Sequence, residues 1–119
     1  MYDDNNIFAK ILRGEIPNKT VQEDDSTLAF DDINPQAPVH TLVIPKGTYV
    51  SLNDFAEKAS DAEIANLVRA TVRVAGEKGV KEDGYRLLVN IGPNSHQEVP
   101  HLHFHVLGGR KLGPMLVKG

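Results

Sequence analysis

The sequence predicts an α+β domain built on a mainly antiparallel sheet, with one long helix and a short helix near the N-terminus. Three observations predict it. Residues 60–79 carry a long run of helical periodicity. Several short β-branched or alternating runs lie on either side of that helix, each cut off by Pro, Gly, Asp or Asn. The strands are also grouped, not interleaved one by one with helices, which is the order of an α+β domain. At 119 residues, with no repeat, linker or low-complexity tract, the expected organisation is one domain over residues 1–119.

In chain order, Ile7, Phe8, Ile11 and Leu12 repeat at the spacing of one helix face. Asp4, Asn5 or Asn6 can cap that helix, and Gly14 and Pro17 mark its end. Residues 19–23 and 27–31 read as strands joined by the tight turn Asp24-Asp25-Ser26. The prolines of Asn34-Pro35-Gln36-Ala37-Pro38 exclude regular helix or central strand. His40-Thr41-Leu42-Val43-Ile44 is a β-branched strand with a histidine at its entrance, and it stops at Pro45 and Gly47. Residues 51–55 suggest a short helical turn. Ser60 and Glu63 form a capping-box pattern, after which Ile64, Leu67, Val68, Thr71, Val72 and Ala75 recur at helical spacing up to Gly79. Residues 85–91 and 101–107 complete the strands, ended by Gly92-Pro93-Asn94 and Gly108-Gly109.

Composition narrows the function classes. Thirteen Lys and Arg stand against sixteen Asp and Glu, a formal charge of -3, and the basic residues are scattered. A protein that grips a nucleic-acid backbone shows a basic surplus or stripe, so no nucleic-acid partner is expected. Cysteine is absent, which removes disulfides, thiol catalysis and cysteine-ligated metals and suits a reducing compartment. No apolar run approaches the roughly 20 residues of a membrane-spanning helix. Met1-Tyr2-Asp3-Asp4-Asn5-Asn6 is acidic and polar, unlike the basic start of a secretory signal. The expectation is a cytoplasmic protein without a membrane partner.

The informative segment is His101-Leu102-His103-Phe104-His105-Val106-Leu107. Side chains alternate across a strand, so His101, His103 and His105 share one face and Leu102, Phe104 and Val106 the other. One histidine on a strand is ordinarily just a hydrogen-bonded residue; three in strict alternation need another reason. A three-histidine metal site fits poorly, because His101 and His105 are roughly 13 Å apart at the Cα atoms of an extended strand. Zinc, with Zn–N bonds of about 2.1 Å, needs its ligands much closer together. No carboxylate or fourth histidine stands at metal-ligand spacing in the sequence, and no metal or cofactor is expected. Covalent or acid–base chemistry on an anionic substrate remains. Neutral imidazole is a good nucleophile toward phosphorus and a good leaving group from it, and a neighbouring ring can bind the phosphoryl oxygens as charge builds.

The form His-φ-His-φ-His-φ-φ followed by Gly108-Gly109-Arg110 resembles the signature of the histidine triad (HIT) family. The likeness extends to Asn6–Pro17, to Leu28–Lys46, to Gly84-Tyr85-Arg86-Leu87-Leu88-Val89-Asn90 and to Leu112-Gly113-Pro114-Met115-Leu116, nearly the whole chain. The tail and Gln97-Glu98-Val99 are most similar to the bacterial members of the Hint branch, the purine nucleoside phosphoramidases. The resemblance implies a HIT-like fold with a five-stranded antiparallel sheet, a homodimer, and a purine nucleotide ligand (AMP, GMP or their phosphoramidates).

It also implies roles. His103 matches the nucleophile that becomes adenylylated, and His105 the residue beside it that contacts phosphate. His101 matches the residue that orients His103 through its backbone carbonyl, and His40 the fourth histidine of the network. Asp32 matches the acid on the ribose hydroxyls. Ile33, Phe8, Phe30 and Ile11 match the purine slot, and Asn90, His96, Gln97 and Glu98 the positions near phosphate and ribose. Taken without the resemblance, Phe8, Phe30 and Ile11 read as core, Asp32 as a turn cap, Asn90 as a turn residue and His96 as solvated.

The sequence also departs from the pattern. Pro100 stands where many relatives carry tyrosine, Ser95-His96 replaces a common Gly-Gly pair, and Glu98 replaces the serine frequent in animal members. Two alternatives to a phosphoramidase stay open at this point: a nucleotide-binding interaction module with incidental turnover, and a dinucleoside polyphosphate hydrolase.

Overall fold

The computed structural model describes residues 1–116; Val117, Lys118 and Gly119, the end of the expected domain, lie outside the described residues. Its strands are β1 (Thr20–Glu23), β2 (Thr27–Asp31), β3 (Val39–Pro45), β4 (Tyr85–Val89) and β5 (Phe104–Gly108). They form one sheet in the order β1-β2-β3-β5-β4, with every neighbouring pair antiparallel. The helices are α1 (Ile7–Leu12), α2 (Leu52–Lys58) and α3 (Asp61–Glu77). The α+β class and the five-stranded antiparallel sheet expected from the sequence are what the chain forms. No helix among the described residues is long and apolar enough to cross a membrane.

The sheet is covered on both faces. Ala29, Val43, Phe104 and Val106 join Leu67, Ala70, Val74 and Ala75 of α3 in one core. Leu28, Phe30, Leu42 and Ile44, which alternate with them, pack on Phe8 and Ile11 of α1 in a second. This double burial explains why β2 and β3 read as near-continuous apolar runs. The α1 face is thinner, because α1 has only six residues, and it is here that the sheet leaves room for a ligand.

Local chemistry sets the ends of the elements. Asn6 caps α1, its side chain accepting from the amide of Ala9. The turn before β2 closes on Asp24, whose Oδ1 accepts from the amides of Ser26 and Thr27. Ser51 and Ser60 head two successive capping boxes, with Asp54 and Glu63 as their partners. The expected turn at 51–55 is thus the start of a two-turn helix, which drives Phe55 into the core.

Three expectations change. Val68 and Val72 are exposed on α3, and Ala70 and Val74 take the buried positions instead. The helix is therefore rotated relative to the face the spacing suggested. The strand expected to run to Ile91 ends at Val89. The ladder of β5 begins at Phe104, not His101. Pro45, which the antiparallel register would set opposite Leu102, has no amide hydrogen to give, and the Leu102 amide donates to the Tyr49 carbonyl instead.

Candidate active site

Although His101 and His103 precede the ladder, the chain there still alternates. Leu102, Phe104 and Val106 enter the α3-side core, and the three histidines lie on the α1 side, where the ring of Phe8 stands edge-on to His101 and His103. The rings of His103 and His105 have centroids 5.0 Å apart. On β3, His40 comes alongside, its ring centroid 5.1 Å from that of His105.

A cavity of about 510 Å³ opens on this face. Its wall contains His40, His103 and His105, with Asp32 and Ile33 from the loop after β2. Phe8, Ile11 and Phe30 line its apolar side, and Asn90, His96 and Glu98 its rim. Eleven of the thirteen residues singled out from the sequence are therefore brought to one hollow. Ile33 is 83% exposed at the lip, a large apolar side chain left open to the hollow.

The other two stand behind the wall. His101 is fully buried. Gln97 ties its loop down: its Oε1 accepts from the Gly92 amide, and its Nε2 donates to the Val99 carbonyl and, across to the segment before α2, to the Val50 carbonyl. His96 holds a left-handed backbone conformation, φ 64°, and its Nε2 lies 2.8 Å from Glu98 Oε1 with both side chains exposed. A non-glycine residue rarely adopts that conformation, so His96 holds a strained backbone beside the hollow.

Hydrogen bonding fixes the proton positions on the rings. The amide of Gln36 can only donate, and it reaches His40 Nδ1 at 3.0 Å. The His40 proton therefore sits on Nε2, which donates to His105 Nδ1 at 2.9 Å. The His105 proton is then on Nε2, a buried atom with no hydrogen-bond partner among the described residues. In His103 the assignment runs the other way. The His101 carbonyl can only accept, so Nδ1 donates to it at 2.7 Å and Nε2 keeps a free lone pair. One ring thus offers a lone pair, and its neighbour an unanswered N–H.

Burial disfavours the charged form of all four rings. It pushes the pKa of His101, His103 and His40 below the ordinary histidine value, with Asp32 pulling His40 part of the way back. His105 is lowered to about 4, by burial first and then by the proximity of His103 and His40. An imidazole held in its neutral form with a free Nε2 lone pair has the chemistry of a nucleophile.

The carboxylate of Asp32 divides its work. Oδ1 accepts from the Asn34 amide at 2.8 Å and so does cap the following turn. Oδ2 stays on the cavity side, 3.5 Å from His40 Nε2. This corrects the reading that no carboxylate or fourth histidine completes a metal-ligand set, since atoms of Asp32, His40 and His105 lie within 4.8 Å of one another. Their proton pattern is nonetheless wrong for a cation. An ion on His40 Nε2 would have to displace the proton there while the Gln36 amide still claims Nδ1, and no neutral tautomer satisfies both.

The profile of the HIT domain matches residues 13–112. The chain belongs to the HIT domain family. Across the HIT proteins, an uncharacterized HIT-like protein of Azospirillum brasilense is 61% identical to it, over 99% of this chain and 97% of that one. The purine nucleoside phosphoramidase of Escherichia coli K12 is 46% identical over 92% of each chain. The crystal structure of a HIT family hydrolase from Legionella pneumophila superposes with a TM-score of 0.82 at 43% identity, over 92% of this chain and 96% of that one.

Some walls of the HIT cavity were not singled out from the sequence. Leu42 could have been, since it is two residues from His40 on the same strand and so shares its face. Asn18, Gln36 and Val99 also line the hollow, and their polar or turn-like settings give no signal. Tyr2 was missed as well. Its hydroxyl bonds the ring of His101 from 99 residues away.

Proposed function

We propose that this HIT protein is a purine nucleoside phosphoramidase, cleaving the P–N bond of an AMP or GMP amine through a nucleotidyl-histidine intermediate on His103. The observation that carries the reading is the pairing of the His103 Nε2 lone pair with the unanswered Nε2–H of His105 in one cavity. The 46% identity to a phosphoramidase supports it.

In this reading the purine lies between Ile33 and the apolar wall of Phe8, Ile11 and Phe30. The ribose hydroxyls donate to Asp32, and the phosphate faces His103. Nε2 of His103 attacks the α-phosphorus while the P–N bond breaks, and the amine leaves with a proton drawn from the surrounding network. The His105 Nε2–H binds a phosphoryl oxygen as negative charge builds, in a site where burial strengthens that bond. Water then cleaves the Nε2–P bond, releasing the nucleotide and returning the ring to its neutral form. The His101 carbonyl orients His103 and steadies the positive charge that spreads to Nδ1. Asn90, His96 and Glu98 border the phosphate and ribose, and Gln97 contributes by holding their loop. The steps use no metal or cofactor.

The same reading includes a cytoplasmic homodimer. Among the described residues, outer strand β4 has an unpaired edge, Leu87 on it is 48% exposed, and Val68 and Val72 are exposed one turn apart on α3. Those features support pairing of two copies. The reaction itself is tested with a fluorogenic adenosine phosphoramidate and a diadenosine polyphosphate, on wild type and His103→Ala. Faster turnover of the phosphoramidate, lost in the variant, is expected. Nucleotide binding without turnover in either protein would replace the enzyme with a binding module.

A further inference from the structure

We propose that Tyr2 is a positioning residue for His103, acting through the ring and carbonyl of His101. Only the kinetic part of this inference rests on the phosphoramidase reading.

The direction of each bond is determined by elimination. His101 Nε2 lies 2.8 Å from the Pro45 carbonyl, which can only accept, so the His101 proton is on Nε2. Nδ1 is then an acceptor, and the Tyr2 hydroxyl must be the donor to it. The two rings meet edge to face, with centroids 5.6 Å apart at 71°. The fully buried His101 ring is thus clamped at both nitrogens, by the N-terminal segment on one side and the end of β3 on the other.

What that clamp holds is the peptide unit that orients the nucleophile. The His101 carbonyl accepts from His103 Nδ1, and the Leu102 amide of the same peptide unit donates to the Tyr49 carbonyl at 2.9 Å. If the Tyr2 hydroxyl is removed, His101 is gripped at one nitrogen only and its buried Nδ1 lone pair loses its donor. The ring can then tilt, the carbonyl turns with it, and the Nδ1–H of His103 is held less firmly. The other His103 tautomer, with its proton on Nε2 and no lone pair facing the substrate, gains population.

The origin of the donor is also informative. Pro100, immediately before the histidine strand, has neither a hydroxyl nor an amide hydrogen to offer, so the donor arrives from the far end of the chain. Tyr2 precedes residues 13–112, the stretch that matches the HIT domain. The segment ahead of the matched domain therefore supplies part of the site's order, and Asn6 and α1 carry it into place.

Tyr2→Phe keeps the ring and removes the bond. In histidine-labelled protein, long-range ¹H–¹⁵N spectra should show wild-type His101 as the Nε2–H form and His103 as a sharp Nδ1–H form. In the variant the amide spectrum stays folded, while the His103 Nδ1–H signal broadens or shifts and the Nε2–H form appears. Losing one neutral hydrogen bond should lower kcat by about three- to tenfold, with KM within about twofold of wild type. An unchanged His103 signal overturns the proposal, whether or not kcat falls. If wild type turns over no phosphoramidate, the functional reading fails and the spectra alone decide the role of Tyr2.

Discussion

Phe8→Ala removes a ring that stands edge-on to Phe30, His101 and His103 at once, at centroid separations of 5.6, 6.3 and 4.9 Å. Phe8 is 6% exposed and belongs to the smaller of the two cores, with Ile11, Leu28, Phe30, Leu42 and Ile44. Truncating a buried phenylalanine costs about 3–5 kcal/mol, part transfer and part void. Here the space vacated opens into the cavity of about 510 Å³, so water can enter and the void is relieved. The loss should therefore fall near 3 kcal/mol, at the lower end of that range. Phe8→Leu, which keeps most of the volume, should cost about 1 kcal/mol.

The same deletion reaches the chemistry. Phe8 helps exclude water from His103, and burial is the main reason the His103 pKa is depressed. Hydrating the ring moves that pKa back toward 6.5. His103 then protonates at a higher pH as acid is added, and the acid limb of kcat/KM moves upward. Urea unfolding at neutral pH, with m held constant, measures the first effect, and a pH–rate profile the second. A loss below about 1 kcal/mol together with an unmoved acid limb would refute the account of this wall.

Stability should depend on pH in a window set by the histidines. His40, His101, His103 and His105 all have folded-state values below 6.5. The unfolded chain thus binds their protons first as pH falls, and stability present above about pH 6.5 declines toward the value of about 4 reached by His105. Asp24, Asp31, Asp54 and Glu63, lowered by their hydrogen bonds and ion pairs, add a separate loss further into acid. A urea midpoint that stays level from pH 7 to pH 4.5 would contradict the buried, neutral network. Ser60→Ala breaks the capping box of α3 and should cost about 1 kcal/mol without changing kcat, since α3 lies on the far face of the sheet; a fall in turnover at constant folded fraction would show otherwise.

Most of the sheet follows from local chemistry. β2 and β3 could be read directly, because a short apolar run in one and a β-branched run in the other are bounded by Asp, Pro and Gly, whose effects are local. The common face of the three histidines also follows from alternation alone, and it survives even though β5 starts only at Phe104. What failed needed knowledge of a partner. The late start of β5 depends on Pro45 across the sheet, and the buried face of α3 on how Ala70 and Val74 meet Val43 and Val106. The capping partner of Ser51 was visible as Asp54 three residues on, and it would have extended the helical turn to Lys58.

The site divides in the same way. His101, His103 and His105 announce themselves by spacing, whereas Asp32, Asn90 and the apolar wall acquire meaning only when β2, β4 and α1 bring them to the same hollow. The grouping of Asp32, His40 and His105 joins a loop and two strands that the sequence separates by up to 73 residues. Tyr2 lies further still from its partner, and no periodicity links the two. Side-chain hydrogen bonds between distant elements leave no local pattern for a sequence to display.

If His103 Nε2 attacks phosphorus, the covalent bond it forms can be trapped on the protein. Wild type and His103→Ala, each mixed with an adenosine phosphoramidate and quenched at early times in denaturant at alkaline pH, where the P–N bond to histidine survives, can be compared by intact mass with unreacted controls. An added nucleotidyl mass is expected on wild type, localised to His103 by peptide mapping, and none on the variant. Turnover by His103→Ala at the wild-type rate, or an adduct mapped to another residue, would contradict it.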